Sequence, residues 1–389
     1  MSYTLPSNKF ELLISPVISL NNKSYDEKTP KPTLTYECFL YEKLKNNYKS
    51  FFNSKNYDLY KKTNFEEQLS YLYNKTLDNN KITVENYDNS MFYEMNEFII
   101  KYNIFKSNIF TKNNVFIISK YTNEILHAIK QNKIDYDYSY TFNSFNDNFS
   151  ENTRQKEHVF EFMIFDILLE SNYFNKNFVT SIMIILNYLK KSGKCIFKIN
   201  LDIYSNAYEF LYFLSYLFEN ISIVQLECSN NNSLYVQCVD FIINENRTDN
   251  YNKNIIMFFF LLNKMKSSKE TNFVSLFQTR VPYFFSTKLN NVKNIILQQK
   301  METIYNLNNY FYSIGKNSTS TNTNVTTNKN EDKNKDKDKN KDKDKNKDKD
   351  KNDDEIENIH FLQQLKQINN QKIKRTILWC KKYNVSFLA

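Results

Sequence analysis

The chain has 389 residues, with 52 Lys and Arg against 43 Asp and Glu (net charge +9), and 41% hydrophobic residues that include 33 Phe and 29 Tyr. Its only two glycines, Gly193 and Gly315, lie too far apart to form a phosphate-binding loop, a dinucleotide-binding turn or a nucleophile elbow, each of which needs closely spaced glycines. The apolar content suffices for a core of ordinary size, and the basic balance suits either a polyanionic partner or simple solubility.

Met1 to Phe10 carries no charge before Lys9 and does not read as a secretory leader. Leu12 to Leu20 (LLISPVISL) reads as a strand broken at Pro16. Thr63 to Tyr73 reads as a helix capped by Thr63 or Asn64, with Glu66 and Glu67 in the first turn, where the helix dipole favours acids. Residues 1–89 are expected to form an N-terminal extension of strand and helices.

From 90 to 245 the pattern alternates. Val115 to Ser119 (VFIIS) predicts a strand and Thr122 to Gln131 a helix; Phe160 to Ile167 predicts a strand, Val179 to Lys190 a helix, and Cys195 to Ile199 (CIFKI) another strand. Tyr208 to Phe218 predicts a helix, and strands near Ser222 to Gln225 and Leu234 to Ile242 predict an antiparallel hairpin at the sheet edge. Short runs apolar on both faces, separated by helices, define an α/β domain with a largely parallel sheet, in which the first three strands lie side by side.

Residues 246–315 are expected to be helical. Their longest apolar run, Ile255 to Leu262, is too short to span a bilayer, so no membrane association is expected. Residues 316–355 pass from Ser/Thr/Asn repeats into KDKDKN repeats without an apolar residue beyond Val325, the composition of a disordered insert. Ile356 to Lys382 carries Ile and Leu at helical spacing, so 356–389 is expected to be a C-terminal helix or helix pair in which Trp379 and Cys380 pack.

Five scattered cysteines without a CxxC pair suit a reducing compartment, here the cytoplasm, and exclude a zinc ribbon. His127, His158 and His360 offer neither metal-ligand spacing nor a triad. Three polar residues stand where buried strands do not need them: Asp166 at the carboxyl end of FEFMIFD, Lys198 within CIFKI, and Ser233 at the mouth of the last strand. In an open α/β sheet the ligand crevice lies beyond the carboxyl ends of the strands. The plainer reading is a capping Asp and a Lys whose stem is buried and whose head reaches water.

The segment as a whole resembles the FtsJ-like RNA ribose 2'-O-methyltransferases. LNYLKKSGKCIFKI is similar to that family's helix, LKPGG turn and strand ending in Lys; FEFMIFDILLES resembles the preceding strand with its Asp, and NNSLYVQC the final strand. MFYEMNEFI resembles the FYKLxEI helix, and NNVFIISKYTNEILHAI occupies the place of the first strand and cofactor turn. KKTNFEEQLSYLY and RTILWCKKYN look like the flanks of versions encoded by large DNA viruses.

The resemblance implies a Rossmann-like S-adenosylmethionine-dependent methyltransferase sheet with helices on both faces. It also implies a Lys-Asp-Lys-Glu tetrad in which a neutral Lys takes the proton of a ribose 2'-hydroxyl. Asp166 and Lys198 match two tetrad positions; Glu94 and Ser233 stand at the others. Two adjacent acids would hold Lys198 charged. In place of the family's acidic residue and Pro-Gly-Gly, the cofactor turn here reads Ser119, Lys120, Tyr121, Thr122, Asn123, so side chains enter the space that backbone should occupy. Ser119, Tyr121, Asn123 and Asp166 are the cofactor-contact positions, with Glu124, Asp135 and Asp137 as further ribose-contact candidates or else an exposed helix start and loop. The expectation is a catalytically degenerate protein, its S-adenosylmethionine binding weak or absent, that acts on RNA at the messenger RNA cap region as an RNA-binding or stimulatory subunit, partnering a capping or polyadenylation complex. The alternatives are an active RNA 2'-O-methyltransferase and a structural, virion-associated protein.

Overall fold

The computed structural model describes residues 2–7, 17–19, 83–84, 90–105, 113–134, 136–142, 160–166, 174–200, 205–229, 233–242, 248–267, 272–277, 280–319, 367 and 370–388. The central sheet is built from β1 (Ser2–Leu5), β4 (Asn113–Ile118), β5 (Tyr136–Phe142), β6 (Phe160–Phe165), β7 (Leu189–Asn200), β8 (Phe218–Val224) and β9 (Ser233–Phe241). Their order is β1-β8-β9-β7-β6-β4-β5. Strands β7, β6, β4 and β5 run parallel, while β9 runs antiparallel to both neighbours and β1 antiparallel to β8. The three apolar runs expected to lie side by side do so.

Both sheet faces are covered, which explains why these strands read as continuous apolar runs. One face directs Phe116, Phe165, Phe197 and Val236 toward α3 (Phe174–Tyr188), α4 (Ser205–Leu217), α5 (Thr248–Ser267) and α6 (Tyr283–Thr319). Phe165 and Phe197 stack across adjacent strands, with ring centres 4.9 Å apart. The opposite face directs Val115, Ile117, Ile164, Ile196 and Tyr235 toward α1 (Ser90–Tyr102), α2 (Thr122–Gln131) and the helical residues 370–382.

Several expectations are corrected. The β8–β9 hairpin forms, but β9 inserts beside β7 and the edge belongs to β1, from the very start of the chain. Residues 136–142, expected as loop around Asp137, form β5. The helix expected to reach Lys190 ends at Tyr188, and β7 starts at Leu189. Between the Phe160–Leu189 and Phe162–Lys194 pairs the chain bulges, and Ser192 has φ 61°. A Cβ on Gly193 would lie 2.7 Å from both the Lys190 carbonyl oxygen and Leu189 Cδ1, so glycine is needed at this close approach. Helix α6 continues through Thr319, past the expected start of the insert at Lys316.

The span expected as an N-terminal extension is tied in at three places: β1 in the central sheet, β2 (Val17–Ser19) against β10 (Asn272–Ser275), and β3 (Thr83–Val84) against β11 (Phe387–Leu388). The helix expected at 63–73 and the bulk of the insert, 320–355, lie outside the described residues.

Candidate active site

Strand β4 pairs with β5 on one side and β6 on the other, so the chain changes direction across the sheet between β4 and β6. That is the point at which open α/β sheets hold their ligands, beyond the carboxyl ends of the strands. Ser119 follows β4 and Asp166 follows β6. The backbone N–H of Asp166 donates to the Ile118 carbonyl (2.9 Å), extending the ladder by one residue, and Ser119 Oγ donates to Asp166 Oδ2 at 2.7 Å. The same hydroxyl oxygen accepts the Tyr121 N–H at 3.0 Å.

From β7, Lys198 points to the face covered by α1, where Glu94 is fully buried. Lys198 Nζ lies 2.8 Å from Glu94 Oε2 and 3.8 Å from Asp166 Oδ1, with its side chain one-tenth exposed. Opposite Lys198 on β9 is Tyr235, whose hydroxyl donates to Glu94 Oε2 and whose ring centre lies 5.8 Å from Lys198 Nζ. Ser233 opens β9 two residues earlier, opposite Asn200. Asp166, Lys198 and Glu94 therefore converge, and Tyr235 joins them from β9.

Burial is the largest influence on the Lys198 pKa and pulls it down, but the Glu94 and Asp166 carboxylates and the Glu94 hydrogen bond more than reverse it, leaving the ammonium favoured above its ordinary range. Burial pushes the Asp166 carboxyl up, only partly opposed by Lys198 and the Ser119 hydrogen bond. Burial, followed by the two carboxylates, pushes the Tyr235 phenol well up, so Tyr235 remains a hydrogen-bond donor. The assembly is a buried, hydrogen-bonded cation with two acids around it. It can orient and neutralise charge; it cannot readily release a proton from nitrogen.

Tyr121 and Asn123 are exposed at the start of α2, Glu124 is half-buried, and His127 is exposed with its ring 6.2 Å from that of Phe92. Asp137 falls within β5; Asp135, His158 and His360 lie outside the described residues. Among the described residues no group of His, Cys, Asp and Glu could hold a metal ion, and no helix is long and apolar enough to cross a membrane.

Two residues that organise this face went unnoticed in the sequence. One is Tyr235, whose role depends on a cross-strand register that sequence does not reveal. The other is Glu97, one helical turn beyond Glu94 in the buried MFYEMNEFI stretch. Its carboxylate accepts the backbone N–H groups of Glu227 (2.8 Å) and Cys228 (3.0 Å) and the Trp379 indole N–H (3.1 Å), and pairs with Lys101 (3.3 Å). Two acids at i and i+3 in an otherwise apolar helix share a face, and that was the available signal. Asn96 completes the staple by donating to the Tyr383 carbonyl at 2.6 Å.

Compared with known proteins, the chain matches no family model and no curated sequence.

Proposed function

We propose that this chain is an FtsJ-like, methyltransferase-fold protein that acts on RNA at the capped end of messenger RNA and serves there as an RNA-binding or stimulatory subunit, without transferring methyl groups itself. The observation that carries this reading is the position of Lys198 Nζ, 2.8 Å from Glu94 and 3.8 Å from Asp166. A general base must shed its proton near the working pH, and two flanking carboxylates oppose that. The cofactor side agrees. Ser119 Oγ already engages both Asp166 and the Tyr121 N–H, so these groups are committed to one another, and every residue from Ser119 to Asn123 carries a side chain where the family places glycine. These residues do not fit S-adenosylmethionine in the family's manner.

A second reading, an active RNA 2'-O-methyltransferase with a rearranged site, is favoured by the convergence of Asp166 and Lys198 at the switch point of the sheet. Titration calorimetry with S-adenosylmethionine and transfer of a tritiated methyl group to capped RNA separate the two. The first reading expects no transfer and no micromolar cofactor binding, with capped RNA still bound. Transfer that disappears in Lys198→Ala establishes the second.

A further inference from the structure

Every residue of α1 from Met91 to Ile99 is buried, so the helix has neighbours on all sides, and its two sides serve different parts of the molecule. One side meets the sheet. Glu94 binds Lys198 and Tyr235 there, Met91 Sδ lies 3.7 Å from the Tyr235 hydroxyl, and the Phe98 and Tyr235 ring centres are 5.5 Å apart. The other side meets the C-terminal segment. Tyr93 packs edge-on against Trp379 with ring centres 6.1 Å apart, the Trp379 indole N–H donates to Glu97 at 3.1 Å, and Asn96 donates to the Tyr383 carbonyl at 2.6 Å. Glu94 and Glu97 stand where the two sides join, about 4.5 Å apart along the helix axis.

Polar contacts fix the C-terminal segment in this seat. Asn96 is held at both ends, since its side-chain oxygen accepts Asn132 Nδ2 at 2.6 Å from the end of α2, and Gln131 Nε2 donates to the Asn384 carbonyl at 2.7 Å. Trp379, Cys380, Tyr383 and Val385 are buried with them. Glu97 also accepts the Glu227 and Cys228 backbone N–H groups, so the carboxylate that takes the indole is tied to the chain beyond β8 as well. Close-packed interiors transmit displacements instead of absorbing them, so a helix gripped on one side is thereby placed on the other.

We infer that the C-terminal helix (370–382) sets the state of the Lys198 site: by gripping α1 through Trp379 and Tyr383 it holds Glu94 against Lys198, and loosening that grip draws Glu94 back. That this control keeps the chain from catalysis rests on the function proposed above; the coupling itself rests on the contacts alone. Lys198 faces Glu94 from α1, Asp166 from the end of β6, Tyr235 from β9 and, within electrostatic reach, Cys228 beyond β8. Of these, α1 carries only Glu94. Withdrawing it removes the nearest opposite charge, while burial, which disfavours the ammonium, stays.

The test measures the Lys198 titration midpoint by NMR in the full chain labelled with 13C at the lysine ε-carbon. Trp379→Phe keeps an aromatic ring but removes the indole N–H, Asn96→Ala removes the link to Tyr383, and neither residue bonds to Lys198. Each is expected to lower the midpoint, and the double variant by about 1 pH unit, which is about tenfold more free amine and equally a faster acetylation of Lys198 by acetic anhydride. Leu262→Ala, a truncation in the core on the opposite sheet face, controls for general loosening. It is expected to lower thermal stability and leave the Lys198 midpoint where the wild type has it. An unmoved midpoint and acetylation rate in both Trp379→Phe and Asn96→Ala overturn the coupling, as does an equal change in Leu262→Ala. Where the double variant does not fold, the two single variants decide in the same way. The readout needs neither RNA nor cofactor, so methyl transfer by the wild type would defeat the proposed function without touching this result, and an unmoved Lys198 would defeat the coupling without touching that function.

Discussion

Lys198 and Glu94, 104 residues apart in sequence, meet at 2.8 Å between a strand and the helix that covers it, and Tyr235 donates to the same carboxylate oxygen from the neighbouring strand. Glu94 therefore has two partners that depend on its charge. Removing that charge leaves Lys198 with Asp166 alone at 3.8 Å. Because breaking a buried pair strands the remaining ion, Glu94→Gln is expected to destabilise the fold by about 3 kcal/mol, read from urea denaturation. A loss within experimental error would show that the pair contributes nothing net.

Asp166 should behave in the opposite sense. Burial raises its folded-state pKa above the ordinary 3.8, so its stabilising contribution is fully present below that value and is lost as pH rises through the folded pKa. The stability of the wild type relative to Asp166→Asn is then expected to increase as pH falls from 7 toward 4. Denaturation midpoints of the two proteins across that range check the sign, and a difference independent of pH would contradict it.

Glu97 secures the C-terminal helix through the chain's single tryptophan. Glu97→Gln retains the shape but loses the charge that serves two backbone N–H groups, the indole N–H and Lys101, at an expected cost of about 2 kcal/mol. Trp379 is 3% exposed, so its fluorescence reports this docking directly. A red shift in Glu97→Gln under native conditions is expected; unchanged emission and stability would show that hydrophobic packing alone holds the helix.

At the start of β7, Gly193→Ala would place a methyl group 2.7 Å from a carbonyl oxygen and the Leu189 side chain. The bulge must shift, at an expected cost of about 2 kcal/mol seen as a lower thermal midpoint. An unchanged midpoint would mean that the bulge relaxes freely.

Much of the sheet was legible in the sequence because β4, β6 and β7 are buried on both faces, and short apolar runs between helices have few other homes. Strand β5 (YDYSYTF) was not, since it alternates polar residues with Tyr and lies at an edge, where no continuous apolar run is required. The first strand, Ser2–Leu5, is too short to carry a periodic signal. At the site, Asp166 and Lys198 were visible as polar residues in apolar strands, and Glu94 only through the position it takes in the family resemblance. Tyr235 was not, because placing it beside Lys198 requires the antiparallel register of β7 and β9, fixed by pairing across distant parts of the chain.

The protonation state of Lys198 decides between a clamped cation and a usable base. In protein labelled with 13C at the lysine ε-carbon, with the Lys198 resonance assigned by its loss in Lys198→Met, the account predicts no titration below the ordinary value of 10.5 and a lower midpoint in Glu94→Gln. A Lys198 midpoint in the wild type below about 9 would contradict it, because a lysine that deprotonates there can serve as the base this account denies it.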